Sequence, residues 1–425
     1  MKKRYASAPR FHTDTTACKA LRAKDGPRTS VFQHAPSGGL WTAVTVMVFA
    51  ALTGCANTLG SSASNSYFLS AQDGRAGLND GKPEVRGATD TLAVVELSSG
   101  CMRITQQTDI PTSLIGPPSS IAIAPGGEMA LVSAATHRDA SDPGKVVPFD
   151  IVSVVALDKT GKMPPRVAET LHTGVGASGI SINREGTLAL VANRIEGSVS
   201  VLSISGMQVQ AVGKLNFGEK SGPSTVAFLP NGRRALVTRD GDSRISLLAV
   251  NGSAVTVEKH TLYAGLRPYG LDISPDGAWA VATSLGGGEG DADTISLIDL
   301  KAEPPRVVDT VTVGQTPEAA FFAPDGRTLA VTVIDGSNKP AAAPFHGAAR
   351  FSSFRIDDGR LKFVSTLVGG QWLQGHAFSP DSKQVLVQDA KNRQIRLYRD
   401  EDGTLSDTGE RLQFDGAPSA LRFWR

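Results

Sequence analysis

The stretch that decides the fold is Pro317-Glu318-Ala319-Ala320-Phe321-Phe322-Ala323-Pro324-Asp325-Gly326, which has a close copy in Pro268-Tyr269-Gly270-Leu271-Asp272-Ile273-Ser274-Pro275-Asp276-Gly277. The apolar residues after the proline predict a β-strand with a buried face. Pro-Asp-Gly predicts a tight turn, because glycine adopts backbone angles that other residues resist. A second apolar run follows each copy and predicts a strand that pairs with the first. A strand-turn-strand unit that occurs twice indicates a repeat protein.

Looser copies of this unit keep the offset of nine residues between the opening and the turn, and they begin at Pro118, Ala177, Pro223 and Leu373. A seventh opening, Pro418, meets the C-terminus before its turn. Neighbouring openings lie 45 to 59 residues apart, and four-stranded propeller blades repeat every ~40–50 residues. The chain is therefore predicted to be an all-β, seven-bladed β-propeller. Six or eight blades would follow if the copies at Ala177 or Leu373 were not openings.

The two ends of the repeat region complete each other. Residues 67–70, 91–97 and 101–104 predict the second, third and fourth strands of a blade that lacks its first strand. Residues 418–424 supply that strand. One blade built from both termini closes the ring without an exposed strand edge, so the propeller is predicted to span 67–425.

The repeat resembles a known type. The Pro-Asp-Gly turn, the apolar-x-apolar-Thr strand after it and strands such as Val199-Ser200-Val201 resemble the YVTN repeat of seven-bladed propellers, a superfamily with lactonase-like members. The resemblance covers about residues 67–425 and specifies the fold more strongly than the activity. It implies that sugar-lactone hydrolysis needs Pro-Arg-His at a strand opening and Asn-Glu after the next strand. This chain has Pro223-Ser224-Thr225 and Arg239-Asp240 there, and the missing cation and displaced acid argue against that activity.

The N-terminal region predicts export. Residues 1–54 carry eight Lys or Arg and two acids, and they include an apolar run over 40–51 that is too short for a bilayer span of ~20 residues. This pattern is typical of a signal peptide, although its basic part is over-long and indicates a start codon placed too far upstream. Leu52-Thr53-Gly54-Cys55 resembles a bacterial lipobox, the alternative being a chance match. The resemblance implies a lipoprotein anchored through Cys55 on the periplasmic side of a bacterial membrane, the outer rather than the inner, with 55–66 as a flexible tether.

Charge and cysteine content narrow the partners. The net charge of +6 in residues 1–54, out of +2 for the whole chain, leaves −4 for 55–425, so the mature chain lacks the basic surface of a nucleic-acid binder. Only Cys55 and Cys101 would remain after cleavage, and no intrachain disulfide is expected with Cys55 lipidated. No cofactor is predicted. The weak metal candidate is an alternating set of acids that suits a hard cation such as calcium, namely Glu289, Asp291 and Asp293.

Long insertions concentrate on one face of the predicted ring. The connections between second and third strands open on this face, here called the loop face, and three of them are long: 71–90, 134–150 and 334–350. Insertions on one face of a repeat protein indicate its binding face. The repeat register predicts that polar candidates for a ligand site lie there, namely His137, Arg138, Asn193, Arg194, Arg239, Asp240, Arg267, Tyr269, Glu318, Trp372, Gln374 and His376.

Two functions from different classes fit these observations. The favoured one is a lipid-anchored binding or scaffold protein that holds a protein, peptide or glycan on the loop face. The alternative is a lactonase-like hydrolase with altered catalytic residues. A cation and an acid within hydrogen-bond reach at the mouth of the channel would favour the enzyme.

Overall fold

The computed structural model describes residues 65–79, 82–142 and 144–425. The predicted signal peptide, Cys55 and nearly all of the predicted tether lie outside the described residues. Within the described ranges every regular element is a β-strand. No helix in these ranges has the length and apolar character needed to cross a bilayer.

Thirty strands follow one another along the chain. In order they are β1 (Ser66–Asp73), β2 (Ala76–Asn79), β3 (Lys82–Val85), β4 (Thr91–Ser98), β5 (Cys101–Asp109), β6 (Ile121–Ile123), β7 (Met129–Arg138), β8 (Val146–Ala156), β9 (Arg166–His172), β10 (Ala177–Ile182), β11 (Leu188–Asn193), β12 (Ser198–Ser205), β13 (Gln208–Asn216), β14 (Pro223–Phe228), β15 (Arg234–Arg239), β16 (Arg244–Asn251), β17 (Ala254–Leu262), β18 (Pro268–Ile273), β19 (Trp279–Ser284), β20 (Asp293–Asp299), β21 (Arg306–Gly314), β22 (Pro317–Phe322), β23 (Leu329–Val333), β24 (Arg350–Asp357), β25 (Arg360–Val368), β26 (Leu373–Phe378), β27 (Gln384–Asp389), β28 (Gln394–Glu401), β29 (Thr404–Gln413) and β30 (Ala417–Phe423).

These strands form seven antiparallel sheets of four, which are the blades, and β2 pairs with β3 in a separate hairpin. Six blades are continuous in sequence, from β6–β9 to β26–β29. The seventh has the order β30-β1-β4-β5, so it joins the two ends of the described chain. The prediction of a seven-bladed propeller is confirmed.

The closing blade is held by backbone pairing and by side chains. Phe68 pairs with Phe423 and Ser70 with Leu421 across β1 and β30. The Trp424 indole donates a hydrogen bond of 2.7 Å to the carbonyl of Gly127, in the turn of the next blade. The C-terminal strand therefore ties its own blade to its neighbour.

The hydrophobic core lies between neighbouring blades. Leu69 and Val94 of the composite blade pack with Ile121 and Val132 of the blade that follows, and all four are buried. On its other side, Leu421 packs with Leu386 of the preceding blade. Each such side chain stabilises the fold by about 1.5–3 kcal/mol, and each blade uses both of its faces, so closure of the ring leaves no apolar face in water.

A register shift recurs in the first strand of the blades. In β18, Pro268 pairs with Ser284 but Leu271 pairs with Ala282, which is an irregularity of one residue. Similar shifts occur in β10, β14, β22 and β26. A bulge of this kind leaves residues out of the ladder and redirects their side chains. The residues just after each opening are therefore turned toward the central channel.

The long connections have more structure than the sequence predicted. Most of 134–150 belongs to strands, because β7 and β8 continue past the blade as an extended hairpin. The segment 71–90 holds the β2–β3 hairpin. Only 334–350 lacks strands between β23 and β24. Two of the three predicted loops are thus β-hairpins, because their backbone groups pair with each other.

Cys101, at the start of β5, is disulfide-bonded in the uncleaved chain. The expectation of no intrachain disulfide concerns the cleaved chain with Cys55 lipidated, so it stays a prediction. The other two cysteines, Cys18 and Cys55, lie outside the described residues.

Candidate active site

Seven equivalent residues encircle the loop-face end of the channel. They stand one position after each blade opening and are all buried: Ser119, Ser178, Ser224, Tyr269, Glu318, Gln374 and Ser419. The first strands of the blades line the channel, and the bulge after each opening turns these side chains inward. Most members of this layer are serines. The large ionisable side chains come from two consecutive blades, β18 and β22.

Arg194 and Asp240 form the strongest pair in this region. Each follows a second strand, β11 and β15 respectively, so both lie on the loop face. Arg194 Nε donates to Asp240 Oδ1 over 3.1 Å, and a second guanidinium nitrogen donates to Oδ2. The Ser224 hydroxyl also donates to Asp240 Oδ1 over 3.0 Å. A bidentate pair of this type is strong and fixes the orientation of the guanidinium.

A second cation and an aromatic ring complete the group. Arg267 approaches Asp240 Oδ2 at 3.5 Å, and its backbone has the left-handed φ of 58°. The Arg194 guanidinium lies over the Tyr269 ring, 5.4 Å from its centre. Arg194, Asp240, Arg267, Tyr269 and Glu318 are together called the mouth cluster.

The mouth cluster has a cationic outer layer and an acidic inner layer. The side chains of Arg194 and Arg267 are 29% and 40% exposed, whereas that of Asp240 is 6% exposed. Tyr269 and Glu318 are buried as well. A ligand that approaches from the loop face therefore meets two guanidinium groups first.

The two carboxyl groups have opposite protonation states at neutral pH. Burial raises the pKa of Glu318 to about 8, although the charges of Arg194 and Arg267 oppose that rise. Burial would also raise the pKa of Asp240, but hydrogen bonds and charge from Arg194 hold that pKa below its usual value. Glu318 therefore keeps its proton and Asp240 is ionised.

This arrangement can perform acid–base chemistry on an oxygen-rich substrate. Two carboxyl groups whose pKa values are driven apart are typical of sites with an acid and an ionised partner. Fixed guanidinium groups stabilise negative charge that develops on a carbonyl oxygen. Burial also raises the pKa of Tyr269 well above its usual value, so its hydroxyl stays protonated and can donate a hydrogen bond.

Four predicted site residues serve other local contacts. The His137 ring packs on Phe149 with 4.1 Å between ring centres, and Arg138 donates to the carbonyl of Arg86. Arg239 pairs with Asp242 and Ser246, and Asn193 is fully buried and donates to Ser198 and Ser200 over 2.9 Å. The structure does not bring these four into the mouth cluster.

Three further predicted residues lie deeper than the register suggested. Trp372 is buried among Leu114, Ile334, Ala390 and Ala417. Gln374 is fully buried, and its amide donates to the carbonyl of Gly116 over 2.9 Å. His376 is 1% exposed and lines the channel wall. The sequence does not show this depth, because the repeat register gives a residue's place along the strand only. Gln374 nevertheless stands in the same layer as Tyr269 and Glu318, and its side chain also hydrogen-bonds that of Glu318.

The channel itself contains a cavity of about 420 Å³, lined by the first strands of all seven blades. Besides His376, its wall carries Asp272 on β18 and Arg422 on β30. The sequence analysis missed both residues. A signal was present, because both stand four residues after an opening, where other blades have Ala122, Ser181, Ala227, Phe321 and Ala377. A charged residue at a repeat position where other blades have small or apolar residues indicates a polar part of the channel wall.

The weak metal candidate is not assembled as a three-ligand group. Asp293 is buried and accepts a hydrogen bond of 2.8 Å from the backbone of Thr316, while Glu289 and Asp291 are exposed. No group of three or more metal-ligating side chains lies together in the part of the chain that the structure describes.

Known proteins match this chain over a larger share in fold than in sequence. No family profile matches the chain. A 6-phosphogluconolactonase from Erwinia tasmaniensis is 26% identical over 142 residues, which span 31% of this chain and 43% of that relative. The match thus spans less than half the length of this curated relative.

Solved structures match over a larger share. A candidate 6-phosphogluconolactonase from Bacteroides fragilis has a TM-score of 0.67 at 18% identity, with 85% of this chain and 98% of the other covered. The periplasmic gluconolactonase of Pseudomonas aeruginosa has a TM-score of 0.63 at 18% identity, with 85% and 99% covered. The chain therefore has the seven-bladed propeller fold of these lactonase-like proteins.

Proposed function

We propose that the protein is a lactonase-type hydrolase that opens a sugar lactone at the mouth cluster. The observation that carries the proposal is the buried, protonated Glu318 beside the ion-paired Arg194 and Asp240. This geometry meets the condition that a cation and an acid converge at the channel mouth. The lactonase-like proteins among the similar structures support the same reading. The proposal thus reverses the preference for a binding protein.

The missing Pro-Arg-His pattern is replaced by residues from other blades. Ser224 stands where the resemblance implies arginine, but Arg194 and Arg267 reach the same end of the channel from neighbouring connections. Ser224 instead supports Asp240, which in turn holds both guanidinium groups. The chemical roles are retained although the sequence positions differ.

The mouth cluster hydrolyses the lactone by addition of water and opening of the ring. The carbonyl oxygen of the lactone lies against the guanidinium groups of Arg194 and Arg267, which stabilise its negative charge when water adds to the carbonyl carbon. The ring C–O bond then breaks, and Glu318 gives its proton to the departing ring oxygen. The proton released by the attacking water returns to Glu318. Lactone and water thus become one hydroxy acid, and the enzyme is restored.

Turnover of two lactones by the full chain tests this proposal. Glucono-1,5-lactone and its 6-phosphate are followed by lactone loss at pH 7 with and without the protein. Glu318→Gln is expected to lower kcat about 10²–10⁴-fold, because the amide cannot transfer a proton. Asp400→Asn is the matched control, since Asp400 is also buried and has a raised pKa but lies at the end of β28, away from the mouth cluster.

Two outcomes would contradict the lactonase proposal. One is a wild-type rate no faster than the uncatalysed hydrolysis of both lactones. The other is a Glu318→Gln rate equal to that of Asp400→Asn. Either result would favour the other hypothesis, in which the loop face binds a protein, peptide or glycan.

We also propose that the protein is exported and anchored through a lipid on Cys55. The support is the apolar run over 40–51 and the lipobox-like Leu52-Thr53-Gly54-Cys55, together with a periplasmic protein among the similar structures. Cys55→Ser is expected to abolish lipid labelling and to shift the protein out of the detergent phase. Unchanged partitioning would overturn the anchor.

A further inference from the structure

The cavity in the channel has its titratable side chains on one side. Asp272, His376 and Arg422 come from β18, β26 and β30, and Phe321 of β22 lies between them in the ring. The opposite wall comes from β6, β10 and β14, and it combines aliphatic side chains with the hydroxyl-bearing Ser119, Ser181 and Thr225. Asp272, His376 and Arg422 are together called the channel site. None of them belongs to the mouth cluster.

Arg422 carries a charge that the described residues neutralise only in part. One guanidinium nitrogen donates to the carbonyl of the adjacent Leu421 over 2.9 Å, and the guanidinium lies 4.9 Å from the centre of the Phe321 ring. Among the described residues it makes no ion pair within 4.0 Å. Burial lowers the pKa of Arg422, and the charge of Asp272 only partly offsets this. A partly buried cation of this type favours an anion in the adjacent cavity.

His376 provides the second, independent indication of a ligand. Its side chain is 99% removed from solvent and packs among the rings of Phe321, Phe351 and Phe378. Apart from a contact with the backbone of Phe321, neither ring nitrogen has a hydrogen-bond partner among the described residues. Burial lowers the pKa of His376 to about 3, so the ring is neutral with one donor and one acceptor. Buried polar groups are normally satisfied, and His376 is among the residues that line the cavity, so a hydroxyl group of a ligand there would supply a partner.

We propose that the channel site binds a small aliphatic carboxylate that carries hydroxyl groups. The carboxylate pairs with Arg422, and the hydroxyl groups exchange hydrogen bonds with His376 and with Asp272 Oδ1. Asp272 Oδ2 already accepts a hydrogen bond of 2.8 Å from the backbone of Phe322. The carbon chain lies against the aliphatic side chains of the opposite wall, such as Ile121, Ile180 and Val226. The cavity volume is within the roughly 300–1,000 Å³ of small-molecule sites.

Binding of this anion is coupled to a proton. Burial raises the pKa of Asp272 to about 6, and a carboxylate placed beside it raises that pKa further. The other titratable groups on the cavity wall are His376, which stays neutral, and Arg422, which stays charged. Affinity is therefore expected to fall as the pH rises through about 6, because Asp272 must take up a proton.

Calorimetric titration of the full chain tests the site with three probes. Gluconate has both functional groups, sorbitol has only hydroxyl groups and hexanoate has only the carboxylate. Gluconate is expected to bind at least tenfold more tightly than either partial probe. Arg422→Gln is expected to weaken gluconate binding at least tenfold with an unchanged circular dichroism spectrum, and Arg234→Gln, whose ion pairs lie outside the channel with Glu258 and Glu303, should leave it unchanged.

A further variant keeps the test informative if Arg422→Gln does not fold. Asp272→Asn retains hydrogen bonding but cannot titrate, so the ratio of gluconate affinities at pH 5 and pH 7.5 should fall from about tenfold in the wild type to about one. Equal pH dependence in both proteins would overturn the coupling. Equal affinity for gluconate and sorbitol, or absence of gluconate binding at millimolar concentration, would overturn the site.

The channel site does not depend on the proposed lactonase activity, and the two are separable. Gluconate is also the product of one proposed reaction, so the titration is repeated with Arg194→Met, which alters the mouth cluster alone. Binding that persists in Arg194→Met and is lost in Arg422→Gln belongs to the channel. Loss in Arg194→Met and retention in Arg422→Gln would assign the ligand to the mouth and overturn the channel site.

Discussion

The two polar regions of the channel differ in how their cations are neutralised. At the mouth, Asp240 lies against both Arg194 and Arg267. In the channel, Arg422 faces Asp272 without an ion pair within 4.0 Å. The first arrangement is already compensated and held in place, which suits a transition state that must be met by fixed charges. The second is compensated only in part, by the more distant Asp272, which suits a ligand that brings its own negative charge.

The same repeat unit produces both regions. The mouth layer stands one residue after each opening and lies at the bulge. In the channel site, Asp272 and Arg422 stand four residues after their openings and His376 stands three, in the regular part of the strand. Most blades fill both layers with small or apolar side chains. The propeller thus provides seven equivalent places at each level, and a few substitutions give each level its own chemistry.

Deletion of residues 416–425 should have the largest effect, because it removes both the closing strand and Arg422. Leu421 and Trp424 are buried, and each stabilises the fold by about 1.5–3 kcal/mol, before the loss of the β1–β30 ladder is counted. A domain has only ~5–15 kcal/mol of stability. We expect insoluble protein or a melting temperature lowered beyond detection. A soluble variant with an unchanged melting temperature would contradict the composite blade.

Replacement of one arginine in either region should have the next largest effect, and the effect should differ between the regions. Arg194→Met is expected to lower kcat/KM for glucono-1,5-lactone about 10²–10³-fold, because a fixed donor to the developing oxyanion is lost. Arg422→Gln is expected to leave that rate within twofold of wild type. The measurement is initial rate against lactone concentration for both variants. Equal losses in the two variants would mean that the regions form one site.

The pH dependence separates the regions by about two pH units. Because the acid form of Glu318 is required and its pKa is about 8, turnover should be constant near pH 7 and fall tenfold per unit above pH 8. Anion binding in the channel should already weaken above pH 6, since the pKa of Asp272 is about 6. Turnover rates and calorimetric affinities between pH 5 and 9 measure the two pH dependences. A single shared midpoint would contradict two independent acids.

The sequence predicted the fold because each blade repeats the same local signals. Pro-Asp-Gly, with left-handed glycines such as Gly277 and Gly326, fixes the first turn, and the apolar alternation fixes the faces. The site was predicted in part, since Arg194, Asp240, Arg267, Tyr269 and Glu318 were all named but not distinguished from seven others. Their pairing joins residues 27 or more apart in sequence, and such contacts depend on bulge geometry that a spacing pattern does not contain.

Substitution of Asp90, another buried acid near the loop face, should have the smallest effect on turnover and binding. Asp90 shows that a raised pKa alone does not make a functional site. Burial, and next the charge of Asp73, raise the pKa of Asp90 to about 7, and Asp90 Oδ1 accepts a hydrogen bond of 3.0 Å from the backbone of Gly74. Since the folded pKa exceeds the unfolded value of about 3.8, ionisation favours the unfolded chain. Stability is therefore retained at low pH and lost as the pH rises through 7.

Asp90→Asn removes this loss while it keeps an acceptor for Gly74. We expect the variant to melt about 1–3 °C above the wild type at pH 8.5 and at the same temperature or slightly below it at pH 5, with lactone turnover and gluconate binding both unchanged. Asp139→Asn is the control with the opposite shift, because hydrogen bonds from Ser141 lower the pKa of Asp139, and the melting temperature of this variant should not rise with pH relative to wild type. A change in turnover with Asp90→Asn would instead mean that the blade formed by both termini contributes to the mouth cluster. The polar residues of the channel would then form more than two regions.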